Sequence, residues 1–282
     1  MSAAAQRKQP LILVSEDHDP DVWRSLDEEE SEFESWAAVA QDIWGRGCFL
    51  PGQAQAVREA ADAIADDKAQ TVAIVGCAVG GVEALAGARI EVFECDLALL
   101  MHLQQSDGAA PIERTEWNPA ALELQADRYR NVVAQRALSL CANPAAAVAT
   151  LVAAVKAGGR LVIDDLYAAD PSVAALVAQG IAGPGHKLAL HPATLVMEAL
   201  KAQALELRAN VVANDQLMVA IRAGLSQAVD IAHRLKVIPQ PFRKQRMIAF
   251  ADELQRAVVL HQALEKGLVT SMRTVHGKPA KP

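Results

Sequence analysis

Small residues and an acid within residues 71–96 stand at positions where they could hold a ligand. Gly76, Ala78 and Gly81 follow an apolar run in a G-x-A-x-x-G pattern, in which small residues let the backbone approach a polar group at a helix N-terminus. Glu94 ends the next apolar run, and a carboxylate there can accept hydrogen bonds from two hydroxyl groups. The pattern indicates a ligand site at the ends of two neighbouring strands.

The spacing argues against a dinucleotide at this turn. Glu94 comes only 13 residues after Gly81, whereas the acid that binds the ribose of NAD usually follows the glycine turn by about 20 residues. The chain also lacks a recognisable tyrosine–lysine pair for hydride transfer. A nicotinamide-dependent oxidoreductase therefore stays open as the weaker alternative.

Other polar and aromatic residues could contact a substrate. Asp164 and Asp165 end an apolar run, where they could face a substrate or be a solvated strand end or a turn cap. Trp44 could stack on a substrate, although a tryptophan beside glycines is more often a packing residue. Arg136 could bind an anionic substrate, with pairing at the surface as an equal alternative.

The histidines and cysteines show no metal-binding pattern. The seven histidines show no i, i+4 pairing with a carboxylate that would make a metal site, and the four cysteines lie far apart rather than in pairs. We therefore expect no bound metal, and we interpret the cysteines as small buried thiols in a reducing compartment.

Composition limits the classes of partner. The net charge is −7 and no cluster of basic residues alternates with aromatic ones, so nucleic acid is not an expected partner. The longest apolar runs fall short of the roughly 20 residues that span a bilayer, and residues 1–8 lack the apolar core of a signal peptide. We expect a cytoplasmic protein without a membrane span, with either one large hydrophobic core or one core and a smaller appendage.

The elements that must position these residues alternate between strand and helix. From residue 71 onward the order is β-α-β-α-β-α-β, with one helix predicted over residues 97–105. Because parallel strands need crossover connections, this order predicts an α/β fold with a doubly wound sheet and helices on both faces. Ligands of such sheets bind outside the carboxyl ends of the strands, where the glycine turn would lie.

Helical patterns flank this alternation. They cover residues 25–44 and 53–67 before the first strand, and residues 216–236 and 241–267 before a final strand at 268–275. The predicted apolar faces of the last two helices run through Leu217, Ile221, Leu225 and Val229, and through Ile248, Leu254, Val258 and Leu264. We expect these helices to be an insert between the last two strands that covers the ligand site, a homodimer interface, or both.

Several segments together resemble class I S-adenosylmethionine-dependent methyltransferases. In chain order they are VAIVGCAVGG, RIEVFECDLALL, RYRNVVAQRALSLCANP, LVAAVKAGGRLVIDD and LHPATLVMEALKAQALELRANVVAND. The most diagnostic is AVKAGGRLVIDD, which resembles the turn that leads into the fifth strand of that fold. The resemblance covers about residues 36–279, and DIWGRGCFLPGQ with the C-terminal insert is most similar to the small-molecule branch that includes phosphoethanolamine and ubiquinone-pathway methyltransferases.

This resemblance implies a seven-stranded Rossmann-like sheet with a helical N-terminal segment and a helical C-terminal insert. Residues 1–35 would be an N-terminal arm and residues 36–282 the methyltransferase-like domain, with helical caps at residues 36–67 and 214–267. It also implies S-adenosylmethionine as the cofactor and a small molecule as the substrate.

The resemblance further implies a set of cofactor-binding residues. The backbone beside the methionine part of the cofactor would come from Gly76, Cys77, Ala78, Val79 and Gly80. Glu94 would bind both ribose hydroxyls. The adenine would be bordered by Cys95 and Trp117, met at its amino edge by Asn118, and supported by Ala134 with Gln135, while Phe49 and Leu50 would form part of a lid.

The chain departs from the family pattern at four positions. Ile74 stands where an acid usually binds the amino end of the cofactor, and Ala78 replaces a second glycine. Arg130 replaces an acid before the fourth strand, and Leu140 replaces a histidine after it. A catalytically degenerate protein with a regulatory, scaffolding or ligand-sensing role is therefore the main alternative to an active methyltransferase.

Overall fold

The computed structural model describes residues 31–64, 71–76, 89–95 and 112–280. Cys77, Ala78, Val79 and Gly80 of the glycine turn lie outside the described residues, as does the helix predicted over residues 97–105.

One mixed sheet is the framework of the described chain. Its strand order is β3-β2-β1-β4-β5-β8-β7, and a two-residue strand, β6, pairs with β5 beside this path. Strands β1 to β5 pair in parallel, whereas β8 is antiparallel to both β5 and β7. The strands are β1 (Thr71–Gly76), β2 (Arg89–Glu94), β3 (Glu113–Glu116), β4 (Tyr129–Gln135), β5 (Val155–Ala168), β6 (His191–Pro192), β7 (Glu206–Val212) and β8 (Val269–Gly277).

The predicted α/β fold is confirmed, since the sheet has the expected seven-strand path and is mostly parallel. Three helices form the predicted insert between β7 and β8. The helices are α1 (Glu32–Trp44), α2 (Gln53–Ala63), α3 (Pro144–Ala154), α4 (Pro171–Ile181), α5 (Ala193–Ala202), α6 (Asn214–Ser226), α7 (Ala228–Val237) and α8 (Gln240–Glu265).

Helix α1 begins later than its acidic pattern indicated. Ser31 is the N-cap, and its hydroxyl accepts a hydrogen bond from the backbone N–H of Glu34 at 3.2 Å. The Glu34 carboxylate accepts one in return from the backbone N–H of Ser31 at 3.0 Å. This reciprocal capping satisfies two backbone donors and determines where the helix starts.

The first insert pattern was predicted as one helix but contains two. Gln227 separates α6 from α7, and its backbone N–H donates to the carbonyl of Gly224 at 3.1 Å. Only glycine fits at position 224, because a Cβ there would lie 2.3 Å from the ring of Trp44. Helix α6 thus packs directly on α1.

The predicted apolar face of α8 is wrong at two positions. Ile248 and Val258 are 48% and 41% exposed, whereas Phe250, Glu253 and Leu260 are buried. These buried residues lie on one face of the helix, and that face includes a charged residue.

The double-glycine turn at the irregularity near the start of β5 has a steric cause. A Cβ at Gly159 would lie 2.1 Å from the backbone carbonyl oxygen of Arg130 in β4, so only glycine lets the two strands approach here. Gly158 adopts a left-handed φ of 73° beside it. The turn thereby sets β5 in register with β4, with Gln135 opposite Asp164.

Ile74 in the middle of the sheet packs into an apolar cluster. It is completely buried, and the cluster includes Val57 and Ile64 on the α2 side and Val92 and Val133 on the neighbouring strands. The position that the family usually fills with an acid is therefore part of the hydrophobic core.

We expect Ile74→Asp to lower the free energy of unfolding by about 3–5 kcal/mol, because a carboxylate in this cluster would be buried without a partner. Ile74→Val is the matched control and should cost about 0.5–1.5 kcal/mol. Urea denaturation followed by circular dichroism measures both. Equal losses for the two variants would show that position 74 reaches water or a ligand.

Candidate functional site

The carboxyl ends of three parallel strands place the first predicted site residues side by side. Gly76, the last residue of β1, is the register partner of Glu94 in β2 and of Gln135 in β4. Glu94 and Gln135 are 0% and 3% exposed, so both polar side chains are buried at this edge. The edge therefore brings together a small residue, an acid and an amide.

Trp117 and Cys95 join this edge through the carbonyl of Gly76. Trp117 Nε1 donates to that oxygen at 2.9 Å, and the backbone N–H of Cys95 donates to it at 3.3 Å. The backbone N–H of Trp117 also donates to the carbonyl of Glu94 at 3.0 Å. The indole is thus held against the start of the glycine turn.

Two other predicted adenine contacts differ in exposure. Ala134 is buried in β4 directly before Gln135. Asn118 is exposed, and its Oδ1 accepts a hydrogen bond from the backbone N–H of Ala120 at 2.9 Å. Asn118 therefore stabilises the turn that follows Trp117.

The predicted lid residues are anchored by Gln53, which sequence reasoning missed. Gln53 Oε1 accepts hydrogen bonds from the backbone N–H groups of Phe49 at 2.8 Å and Leu50 at 3.3 Å. Gln135 Nε2 donates to the carbonyl of Gln53 at 3.4 Å. The segment before α2 is therefore tied to the end of β4.

Two polar atoms at this junction are buried without a hydrogen bond to any described residue. They are Gln53 Nε2 and Gln135 Oε1, and both side chains line a cleft of about 410 Å³. Buried polar atoms are normally paired with protein, water or ligand. This donor and acceptor therefore fit a polar ligand at the strand ends.

A larger cleft of about 730 Å³ lies beside the first, and Leu50, Pro51 and Arg136 line both. Its walls are largely apolar, with the side chains of Trp36, Trp44, Leu140, Leu166, Ile181, Leu188 and Leu260. Its charged members are Arg136, Arg256 and Glu253. Apolar walls with a few polar groups are typical of small-molecule sites.

Glu253 joins the N-terminal and C-terminal helices around this larger cleft. Its carboxylate accepts hydrogen bonds from Trp36 Nε1 at 2.9 Å and from Trp44 Nε1 at 2.7 Å. Arg256 Nε donates to the same carboxylate at 2.9 Å. Trp44, predicted as a substrate contact or a packing residue, thus lines the cleft and also binds α8.

Arg136 is not the surface residue that one interpretation expected. It follows β4 with a left-handed φ of 53°, and its backbone N–H donates to the carbonyl of Asp164 at 2.8 Å. Its Nη1 is buried and makes no hydrogen bond to any described residue. The guanidinium lines both clefts, as a substrate contact would.

Asp164 and Asp165 are not at a solvated strand end, because β5 continues to Ala168 and both side chains are buried. Arg273 Nε and Nη2 donate to Asp164 Oδ2 at 2.9 and 2.6 Å. Asp165 Oδ2 accepts hydrogen bonds from the backbone N–H groups of Leu138 and Ser139, at 2.7 and 3.2 Å. The two acids hold neighbouring segments in place.

Burial raises the pKa of both aspartates and of one nearby cysteine. It raises the pKa of Asp164 to about 6, against the opposing effect of the Arg136 guanidinium. Burial also raises the pKa of Asp165, and Arg136 again acts in the opposite direction. Cys141 is a buried free thiol whose pKa burial raises to about 12, so it is protonated at neutral pH.

Comparison with solved structures gives extensive matches at low sequence identity. The (4+2)-cyclase SpnF matches with a TM-score of 0.62 and 12% identity over 88% of this chain and 94% of that one. A Haemonchus contortus phosphoethanolamine N-methyltransferase 2 in complex with S-adenosyl-L-methionine gives 0.64 and 12% over 89% of this chain, which spans 58% of that protein.

The geranyl diphosphate C-methyltransferase of Streptomyces coelicolor A3(2) gives a TM-score of 0.52 and 13% identity over 78% of this chain and 80% of that one. The chain has the class I methyltransferase fold. No family model matches the sequence, and no curated protein matches it either.

No described helix is long and apolar enough to cross a membrane. Within the described ranges, no three histidine, cysteine or acidic side chains cluster as metal ligands would.

We expect Glu253→Gln to lower the free energy of unfolding by about 3–5 kcal/mol, because it removes the charge that Arg256 and two indoles share in a buried site. A double-mutant cycle with Trp36→Phe should give a coupling energy of at least about 1 kcal/mol. Urea denaturation measures each variant.

Glu265→Gln is the matched control, since Glu265 is exposed near the end of the same helix. Its effect should stay within about 0.5 kcal/mol. Additive effects of Glu253→Gln and Trp36→Phe would contradict a direct bond between these side chains.

Proposed function

We propose that the protein is an S-adenosylmethionine-dependent methyltransferase that acts on a small molecule. The observation that carries the proposal is the strand-end cluster of Gly76, Glu94, Trp117 and Gln135 beside a partly apolar cleft. Known proteins with this fold that were crystallised with S-adenosylmethionine or S-adenosylhomocysteine support the choice of cofactor.

The cofactor-binding roles follow the strand ends. The backbone from Gly76 to Gly80 would hold the methionine part, and Glu94 would bind the ribose hydroxyls. Cys95, Trp117 and Asn118 would surround the adenine, with Ala134 and Gln135 beneath it. Phe49 and Leu50 would cover the cofactor, and the buried Gln53 Nε2 and Gln135 Oε1 supply the unpaired polar atoms that such a ligand could satisfy.

The proposed methyl transfer requires little acid–base catalysis by the protein. When bound, the cofactor supplies an electrophilic methyl group for an in-line displacement. The protein would then orient the acceptor and exclude water, and the apolar walls around Trp36, Trp44 and Leu140 suit both tasks. A nucleophile that carries no proton needs no general base.

A ligand-binding protein that does not transfer methyl groups is the second candidate. Ile74 is buried in an apolar cluster, so it cannot bind the amino end of a cofactor as an acid would. The comparison with a cyclase also shows that this fold hosts other activities. A nicotinamide enzyme is less favoured, because antiparallel β8 stands between β5 and β7 instead of a sixth parallel strand.

We expect Glu94→Ala to weaken S-adenosylhomocysteine binding by about 1.5–3 kcal/mol, the order of hydrogen bonds to a charged group. Isothermal titration calorimetry with S-adenosylmethionine, S-adenosylhomocysteine and NAD in parallel measures this effect and separates the candidate cofactors. Glu94→Gln should lie between the wild type and Glu94→Ala.

Glu113→Ala is the control, because Glu113 is an exposed acid on neighbouring β3. Its affinity should equal that of the wild type. Wild-type affinity in a folded Glu94→Ala variant would remove Glu94 from the site, and binding of NAD alone would favour the oxidoreductase.

A further inference from the structure

We propose that the larger cleft binds a small monocarboxylate with an apolar body, and that Arg136 holds the carboxylate. The inference rests on the proposed function, since it names the substrate class of that same site. It is carried by the position and hydrogen bonding of Arg136, the charges around it and the apolar walls.

The backbone holds Arg136 between the two clefts. The residue follows directly after Gln135 at the end of β4, and its N–H bond to the Asp164 carbonyl orients it. A left-handed φ at a residue other than glycine is costly and persists only where surrounding contacts hold it, as the bond to Asp164 does here. Arg136 thus lies next to the proposed cofactor edge and lines both clefts.

The buried Nη1 of Arg136 needs a hydrogen-bond acceptor. A buried donor without a partner is destabilising, especially on a charged group. Arg136 lies within electrostatic reach of Asp164 and Asp165, yet neither carboxylate accepts a hydrogen bond from Nη1. Asp164 is bound by Arg273, and Asp165 by backbone N–H groups. An oxygen atom of a ligand can fill this role.

The charges around the cleft favour a single negative charge on the ligand. Arg256 is the other lining cation, and Glu253 pairs with it, Arg256 Nη2 lying 2.8 Å from the carboxylate. This pairing leaves Arg136 as the lining cation without an ion-pair partner in the described cleft. One carboxylate would match it, whereas a dianionic phosphate would bring a second charge near Asp164 and Asp165, and an ammonium group would be repelled.

The apolar walls select the rest of the ligand. Besides Arg136 the cleft is lined by the indoles of Trp36 and Trp44 and by several leucines, among them Leu166 and Leu188. Burying an alkyl or aromatic body there is favourable because apolar surface leaves water. An acid with an apolar body of several carbons matches both the Arg136 guanidinium and the apolar lining of the cleft.

Binding of matched probes tests the inference. Calorimetric titration of the full chain with octanoate, octanamide, octyl phosphate and octylammonium, with and without saturating S-adenosylhomocysteine, varies only the head group. We expect octanoate to bind at least about 10-fold more tightly than each of the other three, as one charged hydrogen bond requires. Arg136→Gln should abolish this preference while leaving octanamide affinity within about twofold.

Three further variants make the result specific. Arg136→Lys should keep part of the preference for octanoate, because it retains the charge. Arg136→Asn tolerates a left-handed φ and should lose the preference in a folded protein. Arg222→Gln, at an exposed position on α6, is the charge-matched control and should leave all four affinities unchanged.

The outcomes separate this inference from the proposed function. Equal affinity for octanoate and octanamide, tighter binding of octyl phosphate or octylammonium, or an unchanged preference in Arg136→Gln would each overturn it. Binding of S-adenosylhomocysteine without a preference for octanoate would refute the carboxylate site alone. Preference for octanoate without S-adenosylhomocysteine binding would support the site and refute the proposed cofactor.

Discussion

The buried carboxylate of Glu253 is the interaction on which the larger cleft depends. Trp36 and Trp44 donate to it from α1, and Arg256 donates to it from its own helix. These bonds join residues more than 200 positions apart, with separations of 217 and 209. A helix before the sheet and a helix within its last connection thereby become two walls of one cleft. A charged group is costly to bury alone, so its three partners must be in place together.

The strand ends below this cleft follow a different principle. Parallel pairing puts Gly76, Glu94 and Gln135 in register, so their closeness is a property of the sheet itself. Trp117 then adds an indole through a hydrogen bond to Gly76. The sheet and its strand ends belong to the fold shared with known methyltransferases, whereas the helical walls are held together by side-chain bonds to Glu253. The likeness to a cyclase fits this division, because one sheet can serve more than one chemistry.

Periodicity was enough to predict the sheet and to place Glu94 at its carboxyl edge. Buried parallel strands read as apolar runs, and an acid at the end of a run must come to the edge of the sheet, which is why Glu94 was found. Helix positions in the insert were also largely predictable, although their buried faces were predicted only in part: Leu217, Ile221 and Leu264 are buried, whereas Val229, Ile248 and Val258 are exposed. A pattern that counts only apolar residues assigns Glu253 to the solvent side and moves the predicted face to Ile248 and Val258.

Other features depended on contacts that no local pattern contains. In the sequence Gln53 is an ordinary residue at a helix start. Its role depends on the hydrogen bonds that its side chain accepts from the backbone N–H groups of Phe49 and Leu50. Asp164 and Asp165 appeared to end a strand because acids usually do so. Pairing with β8 extends β5 past them, and Arg273 arrives from β8 to neutralise the first.

The position of β8 in the sheet has a consequence for biosynthesis. This strand is the last one along the described chain, yet it lies between β5 and β7 and is bonded to both. While a ribosome is still making the insert helices, β5 and β7 have no shared neighbour, and their unpaired backbone edges are open to other nascent chains. The sheet can close only after residues 269–277 have emerged, because β8 is the strand that joins β5 to β7.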